Sequence, residues 1–289
     1  MKGIEETYDA ADGGVGTAPG WGRSLRREIA RWAACGVELV YPARCPICLC
    51  ESRDGREAAH GGPTGGPGAF PWQAAVCGSC TRDLSADMPR CFRCGEAGHA
   101  ACGRGVCPQR APGWRHIAIL SSYTGGLREA VLRAKRPAGD GVAAALGTLL
   151  VGKHRETLLS WGTGRVVPVP MHWIRRSMRG TSAADEVSKR VARLLGLPWK
   201  RALTRHRATP MQNELPIADR PRNVEGAFRS SCRLDGESIL LVDDVVTTGA
   251  TLAACCAALR AAGAAAVDVA VVARAERSGA GSQPIAEVR

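Results

Sequence analysis

The 289-residue sequence has no long hydrophobic run and no secretion signal. No window approaches about 18 uninterrupted apolar residues, the shortest stretch that reads as a membrane-spanning helix. The first ten residues, MKGIEETYDA, carry acids where a signal peptide carries basic and apolar segments. These two absences argue against a membrane span and against secretion, so we expect a cytoplasmic protein with reduced cysteines.

Large apolar side chains are also scarce between Cys45 and Cys107, where Cys, Gly, Pro and Arg dominate. Such a segment is too poor in apolar residues for an ordinary hydrophobic core. Within it, GGPTGGPG at 61–68 predicts a flexible loop, because glycine and proline disfavour both helix and strand. Something other than hydrophobic burial must therefore hold this segment together.

Cysteine pairs provide that alternative. In a reducing compartment, clustered cysteines bind metal more often than they form disulfides. A CxxC turn presents two thiolates to one ion, and two turns complete a tetrahedral zinc shell. Sequential pairing predicts one structural zinc on the first four of the following cysteines and a second on the last four: Cys45, Cys48, Cys77, Cys80, Cys91, Cys94, Cys102 and Cys107. Other pairings, a ligand role for His99 and a redox role for the CxxC pairs are the alternatives.

The charge is strongly positive. A net charge of +12 and a pI near 9.4 favour anionic partners such as phosphates, nucleotides or nucleic acid. Between Met171 and Asp235 the chain has 14 Lys or Arg against 6 Asp or Glu. This local excess is consistent with a surface for polyanions, single-stranded DNA among them.

After Trp114, short β-branched apolar runs alternate with helical stretches, and this pattern predicts an α/β domain. The predicted strands are Ile117–Ser121, Arg165–Val169, Ser238–Val242 and Val267–Ala273. The predicted helices are Leu127–Arg133, Val142–Leu159, Ala183–Leu195 and Ala250–Ala262. In such a parallel sheet, ligands bind at the carboxyl ends of the strands.

One run combines a buried strand, two acids and a turn rich in hydroxyls and glycine. It extends from Ile239 to Thr251 and opens the last predicted helix. Asp243 and Asp244 can accept hydrogen bonds from two ribose hydroxyls, while backbone N–H groups of the turn and the helix dipole can hold a 5′-phosphate. We expect this phosphate loop to consist of Val245, Val246, Thr247, Thr248, Gly249, Ala250 and Thr251, with Gly249 leaving room for close backbone approach. The alternative is that the acids and the turn only cap a helix.

A nucleoside-triphosphate loop is excluded. The nearest match, Gly147–Lys153, has His154 where a Ser or Thr should hold magnesium, and it lacks a preceding strand. We expect it to form part of a helix.

The acidic strand and the turn TTGAT resemble the signature of type I phosphoribosyltransferases. The wider pattern resembles the ComF family, whose members join a zinc ribbon to a phosphoribosyltransferase-type domain and are linked to natural competence and DNA uptake. The further matching segments are VPVPMH at 167–172, RG at 179–180, TPMQ at 209–212 and RPRNVEGAF at 220–228. The resemblance implies a type I phosphoribosyltransferase fold, a parallel sheet flanked by helices, preceded by a small Cys-rich zinc-ribbon domain.

The resemblance also implies a ligand and partners. It implies binding of phosphoribosyl pyrophosphate, or a nucleotide, with magnesium, and partners such as single-stranded DNA and a DNA-uptake helicase. It assigns a pyrophosphate loop to Val169, Pro170, Met171 and His172, with Arg175, Arg176 and Arg179 close behind. Lys135 stands where the family commonly has a lysine, as a phosphate contact or a solvated helix end.

The sequence departs from the family at one place. After Arg179-Gly180 the family usually has Phe-Asn-Gln, whereas this chain has Thr181-Ser182-Ala183. The change leaves open whether the protein turns over a substrate, and which acceptor it would use. We expect four regions: a leader with a short amphipathic helix (1–40), a zinc-ribbon module (41–110), the phosphoribosyltransferase-like domain (114–275) and a tail (276–289).

Overall fold

The computed structural model describes residues 44–51, 76–86, 88–97, 113–171, 182–206 and 226–275. All of them belong to one of two compact units, Ala43–Arg289. The predicted leader and its helix, and the predicted tail, lie outside the described residues. The four predicted region boundaries therefore stay a prediction.

The described residues form a four-stranded parallel sheet, a small antiparallel pair and five helices. The strands are β1 (Ile117–Ser122), β2 (Arg165–Pro168), β3 (Leu203–Arg205), β4 (Phe228–Ser230), β5 (Ser238–Val246) and β6 (Ala266–Arg274). The helices are α1 (Gly78–Ser85), α2 (Gly125–Ala134), α3 (Asp140–Ser160), α4 (Ala183–Leu195) and α5 (Ala250–Ala261). The predicted α/β class, its four strands and its four helices are confirmed. None of these helices is both long enough and apolar enough to cross a membrane.

The main sheet has the order β1-β6-β5-β2 with every pair parallel. Strand β6 is almost wholly buried and β5 is buried from Ile239 to Val242, because helices cover both faces of the sheet. Alternate residues of β5 point to opposite faces: Leu240 and Val242 enter one core cluster, and Ile239 and Leu241 enter the other.

Helices α2, α3 and α4 cover the first face and α5 covers the second. Helices α3 and α4 pack tightly against each other at Gly147. At Gly147 of α3, an added Cβ would lie 3.0 Å from the Cβ of Arg190 and 3.0 Å from the carbonyl oxygen of Val187. This glycine therefore lets two helices approach, as expected of a helical segment rather than a phosphate loop.

The first cysteine region packs into the same core as the α/β elements. Cys45, Ile47, Cys80 and Leu84 are buried in the cluster that contains residues of α2 and α3. The guanidinium of Arg133 in α2 donates to the backbone carbonyls of Ile47 and Pro46. The cysteine region thus shares a core with the sheet instead of standing apart on its own.

Candidate functional site

The predicted ribose and phosphate residues lie at the carboxyl edge of the sheet. Strand β5 continues four residues beyond its predicted end at Val242, because Asp243 pairs with Val271 and Val246 with Arg274 of β6. On the other side, the N–H of Val169 donates to the carbonyl of Val242 over 2.9 Å. The structure therefore brings the start of the predicted pyrophosphate loop next to the two acids.

Asp244 is paired with a lysine from another element. The Nζ of Lys135, at the end of α2, lies 3.1 Å from Oδ2 of Asp244. Burial of Lys135 would lower its pKa, but the negative charges of Asp244 and Asp243 outweigh burial, so the pKa is raised. Lys135, which the sequence left between two interpretations, therefore lies at the acids rather than in solvent.

The surroundings of Asp243 disfavour its charged form. Desolvation, and then the neighbouring negative charge of Asp244, raise its pKa well above the ordinary value. Two interactions oppose this rise: a hydrogen bond from the backbone N–H of Asp244 to Oδ1 of Asp243 over 2.8 Å, and the positive charge of Lys135. Asp243 thus holds its negative charge at a cost in free energy that a hydrogen-bond donor or a cation would reduce.

The phosphate loop passes directly into helix α5. Gly249 is the N-cap of this helix, with φ of 80°, and no side chain caps it. The interpretation of the two acids as a simple helix cap therefore fails, because Asp243 and Asp244 belong to β5 and Asp244 pairs with Lys135. The N–H of Ala250 donates to Oγ1 of Thr248 over a long 3.4 Å, and a ligand or water can satisfy the N–H groups that follow it at the start of α5.

Gly249 also has a packing reason that the sequence did not reveal. A Cβ added there would lie 2.9 Å from the Cη2 atom of Trp114. The indole Nε1 of Trp114 donates in turn to the carbonyl of Arg93 over 3.0 Å. Trp114 therefore connects the start of α5 with the segment between Cys91 and Cys94.

The part of the pyrophosphate loop that the structure describes borders an ion pair that the sequence missed. Pro170 and Met171 line a small cavity together with Asp185 and Arg201. The buried carboxylate of Asp185 accepts two hydrogen bonds from Arg201, at 3.3 and 2.9 Å. Only the proximity of two elements distant in sequence creates this pair. His172, Arg175, Arg176 and Arg179 lie outside the described residues.

Four of the predicted metal ligands meet. The sulfur atoms of Cys45, Cys48, Cys77 and Cys80 all lie within 4.8 Å of one another. The N–H of Leu49 donates to the carbonyl of Cys45 over 2.8 Å and closes the first turn. Four thiols at this spacing suit a soft, tetrahedral ion, and zinc fits them. The predicted pairing of the first two CxxC turns is the one that the structure brings together.

Cys91 and Cys94 lie on a turn with the same backbone pattern. The N–H of Gly95 donates to the carbonyl of Cys91 over 2.8 Å, and the N–H of Cys91 donates to the carbonyl of Glu96 over 3.0 Å. The first turn has matching hydrogen bonds, among them one from the N–H of Cys45 to the carbonyl of Cys50 over 3.0 Å. We call residues 44–51 and 90–97 the first and second knuckles; each is closed by one isolated β-bridge. Cys102, Cys107 and His99 lie outside the described residues.

Hydrogen bonds attach the second knuckle to both β1 and β6. Ile117 donates from its N–H to the carbonyl of Phe92 over 2.6 Å, and Arg90 donates to the hydroxyl of Ser122 over 2.6 Å. The buried guanidinium of Arg274, at the end of β6, donates to the carbonyl of Cys94 over 3.1 Å and contacts Glu96. Trp114, just before β1, adds its hydrogen bond to Arg93. Because Arg274 pairs in register with Val246, the second knuckle and the phosphate loop are separated by one strand.

Comparison with known proteins agrees with the fold. A phosphoribosyl transferase domain model matches residues 178–285. DNA utilization protein YhgH of Salmonella typhi is 36% identical over 178 residues, which cover 60% of this chain and 78% of the relative. YhgH of Escherichia coli K12 is 33% identical over 201 residues, covering 67% and 88%. Competence protein F of Haemophilus influenzae is 30% identical over 180 residues, covering 60% and 78%.

The order of the elements, the acidic end of β5 and the cluster of four cysteines agree with these matches. The chain therefore belongs to the ComF family, to which YhgH and Competence protein F also belong, and it carries a phosphoribosyltransferase domain behind a cysteine-rich segment.

Proposed function

We propose that this protein binds phosphoribosyl pyrophosphate with magnesium at the carboxyl edge of its sheet and acts in DNA uptake or utilization. The observation that carries the first half is the placement of Asp243 and Asp244 at the end of β5, one short turn before the uncapped start of α5. Carboxylates and the backbone N–H groups of a helix N-terminus at this spacing match the ribose hydroxyls and the 5′-phosphate of one ligand.

Asp243 and Asp244 hold the ribose in this proposal. Both carboxylates accept hydrogen bonds from the two hydroxyls, and the raised pKa of Asp243 makes it a group that gains from such donors. The N–H groups from Thr247 to Thr251 bind the phosphate. The dipole of α5 favours that anion by about 0.3–1 kcal/mol at an exposed site and by more where the phosphate is partly buried.

Asp243 and Asp244 would also hold magnesium in this proposal, because hard oxygen ligands suit that ion and both carboxylates lie beside the predicted pyrophosphate loop. When bound, magnesium would neutralise part of the pyrophosphate charge, together with cationic side chains. Lys135 balances Asp244 in the ligand-free protein and is positioned to contact phosphate oxygens when ligand arrives.

Binding without turnover is the form of the proposal that we favour. Ser182 and Ala183, which replace the usual amides, are buried at the start of α4, with 3% and 4% of their surface exposed. Small buried residues offer no amide to an acceptor base. The alternative, a catalytic phosphoribosyltransferase of nucleotide salvage, would need other residues to hold the acceptor.

The role in DNA uptake or utilization rests on family membership and charge. The relatives are named for DNA utilization and for competence. The basic excess between Met171 and Asp235 provides phosphate contacts for single-stranded DNA. A purely accessory protein that binds DNA or a helicase, without a nucleotide ligand, is the second candidate.

Calorimetry on the zinc-loaded full chain tests the ligand. Phosphoribosyl pyrophosphate with magnesium should release heat with the wild type and none with Asp243→Asn/Asp244→Asn. Absence of heat with the wild type would overturn the ligand proposal. Binding to single-stranded DNA that weakens steeply as salt rises would support direct DNA contact, and absence of binding at low salt would exclude it.

A further inference from the structure

The two knuckles differ at the residue that follows their left-handed turn. In the second knuckle Gly95 has φ of 77°, and the next residue, Glu96, is held by Arg274. In the first knuckle Leu49 has φ of 63°, and the next residue is Cys50. The same backbone thus presents a carboxylate tied to the sheet in one case and a thiol in the other.

Cys50 lies against the metal-binding cluster without being needed by it. Its sulfur is 3.2 Å from the sulfur of Cys48, which is 3.6 Å from the sulfur of Cys77. The four clustered cysteines already supply a complete tetrahedral set, so Cys50 is a fifth thiol in a four-ligand site.

Both sulfurs of this contact are accessible. Cys48 and Cys50 are exposed, whereas Cys45 and Cys80 of the same cluster are buried. The remaining described cysteines differ: Cys94, Cys255 and Cys256 are buried, Cys77 and Cys91 are half-buried, and Cys232 is half-buried outside the cluster. Thiol oxidation requires access, and disulfide formation requires a second thiol within reach. Among the described cysteines, the pair Cys48 and Cys50 meets both conditions.

We propose that a hydroperoxide oxidises Cys48 and Cys50 to a disulfide, which removes Cys48 as a ligand of the four-cysteine site. One thiolate of the pair attacks one oxygen of the hydroperoxide, which breaks the O–O bond and gives a sulfenic acid and, after protonation, water or an alcohol. The other thiolate then attacks the sulfenic sulfur, the S–S bond forms, and hydroxide leaves and is protonated to water. Two thiols lose two electrons, and the hydroperoxide gains them.

The consequence is a weakened metal site. Once Cys48 is part of a disulfide it is no longer a thiolate ligand, and three cysteines are left. Cys45 and Cys80 belong to the hydrophobic core of the domain, and Arg133 of α2 donates to the carbonyl of Ile47 in the same segment. Loss of the ion therefore loosens a segment that packs on the domain. A dithiol reductant reverses the step by thiol–disulfide exchange.

The test uses the zinc-loaded full chain and hydrogen peroxide. Differential alkylation and mass spectrometry of the tryptic peptide 45–53, CPICLCESR, identify which cysteines become oxidised. We expect a disulfide between Cys48 and Cys50, reversed by dithiothreitol. Released zinc, measured with a chromogenic chelator, should appear at least about fivefold more slowly in Cys50→Ser than in the wild type, because the disulfide can no longer form.

Cys232→Ser is the matched control, since it removes a cysteine outside the cluster and should release zinc like the wild type. Zinc content before oxidation should be equal in all three proteins. Equal release from Cys50→Ser and wild type would overturn the proposal, and so would a wild-type disulfide that leaves Cys50 reduced. The peptide map decides even if a variant folds poorly, and neither measurement depends on the proposed phosphoribosyl ligand.

Discussion

Trp114 lies across Gly249, so that a single side chain determines which residue can occupy the N-cap position of α5. An added Cβ at 249 would lie 2.9 Å from the indole, and the φ of 80° is itself unfavourable for any other residue. Through its Nε1, the same indole contacts the second knuckle at Arg93. The phosphate loop is therefore built on a tryptophan that the cysteine-rich segment holds in place.

Gly249→Ala should destabilise the protein by about 2–3 kcal/mol, since it adds overpacking against Trp114 to the strain of a positive φ. Denaturant unfolding gives the value. Gly196→Ala is the matched control: it has φ of 70° but no atom within 4 Å of its added Cβ, so it should cost only the strain, about 1 kcal/mol. Equal losses in the two variants would show that the indole contact is unimportant.

Replacing Trp114 separates its two contacts. Trp114→Phe keeps an aromatic ring near Gly249 but removes the hydrogen bond to Arg93, and it should cost about 1 kcal/mol. Trp114→Ala removes both and should cost about 3–5 kcal/mol, because Trp114 is buried. Amide hydrogen exchange in 247–251 should rise in Trp114→Ala and change little in Trp114→Phe. A similar rise in both would contradict a packing role for the ring.

Replacing Asp243 or Asp244 by asparagine should change the stability of the protein in opposite directions. Asp243 has a raised pKa, so the native state binds its proton more tightly than the unfolded state does, and stability falls as pH rises from about 4 through the folded pKa. Asp243→Asn should remove this loss and stabilise the ligand-free protein at pH 7. Asp244→Asn should destabilise it, because Lys135 loses its ion-pair partner.

Unfolding midpoints of the two variants and the wild type at pH 5 and pH 8 provide the measurement. The gain from Asp243→Asn should be larger at pH 8 than at pH 5. A gain that is independent of pH, or a loss in Asp243→Asn as large as in Asp244→Asn, would contradict the shielding of Asp243.

Leu49 carries a strain that its contacts do not offset. Its φ is 63° while 60% of its surface is exposed, so glycine should relieve strain with little loss of packing. Leu49→Gly should raise the unfolding free energy of the zinc-loaded protein by about 1 kcal/mol. Leu49→Ala, which keeps a Cβ, should give no such gain; a gain in alanine equal to that in glycine would show that strain is not the cause.

The parts of the structure that the sequence revealed are those with a regular local signal. The apolar runs of β1 and β6 and the helical spacing of α4 predicted these elements to within one or two residues. The end of β5 was predicted too early, because pairing between Asp243 and Val271 extends the strand past the apolar run. Strands β3 and β4 have three residues each, too few to show a period.

The candidate site likewise combines residues that the sequence predicted with contacts that it did not predict. Asp243, Asp244 and the phosphate loop form one continuous motif, so the sequence predicted them together. The contacts of Trp114 with Gly249, and of Asp185 with Arg201, join residues that are far apart in the chain. No local pattern marks such pairs, and only the packed fold brings them together.

Amide hydrogen exchange with and without phosphoribosyl pyrophosphate and magnesium tests the central claim most directly, since it locates the ligand as well as detecting it. We expect added protection in 243–251 and at Lys135, with no change at the open groove lined by Arg229 and Arg233. Protection that is absent from 243–251, or that lies elsewhere, would contradict a ribose-phosphate site at the end of β5.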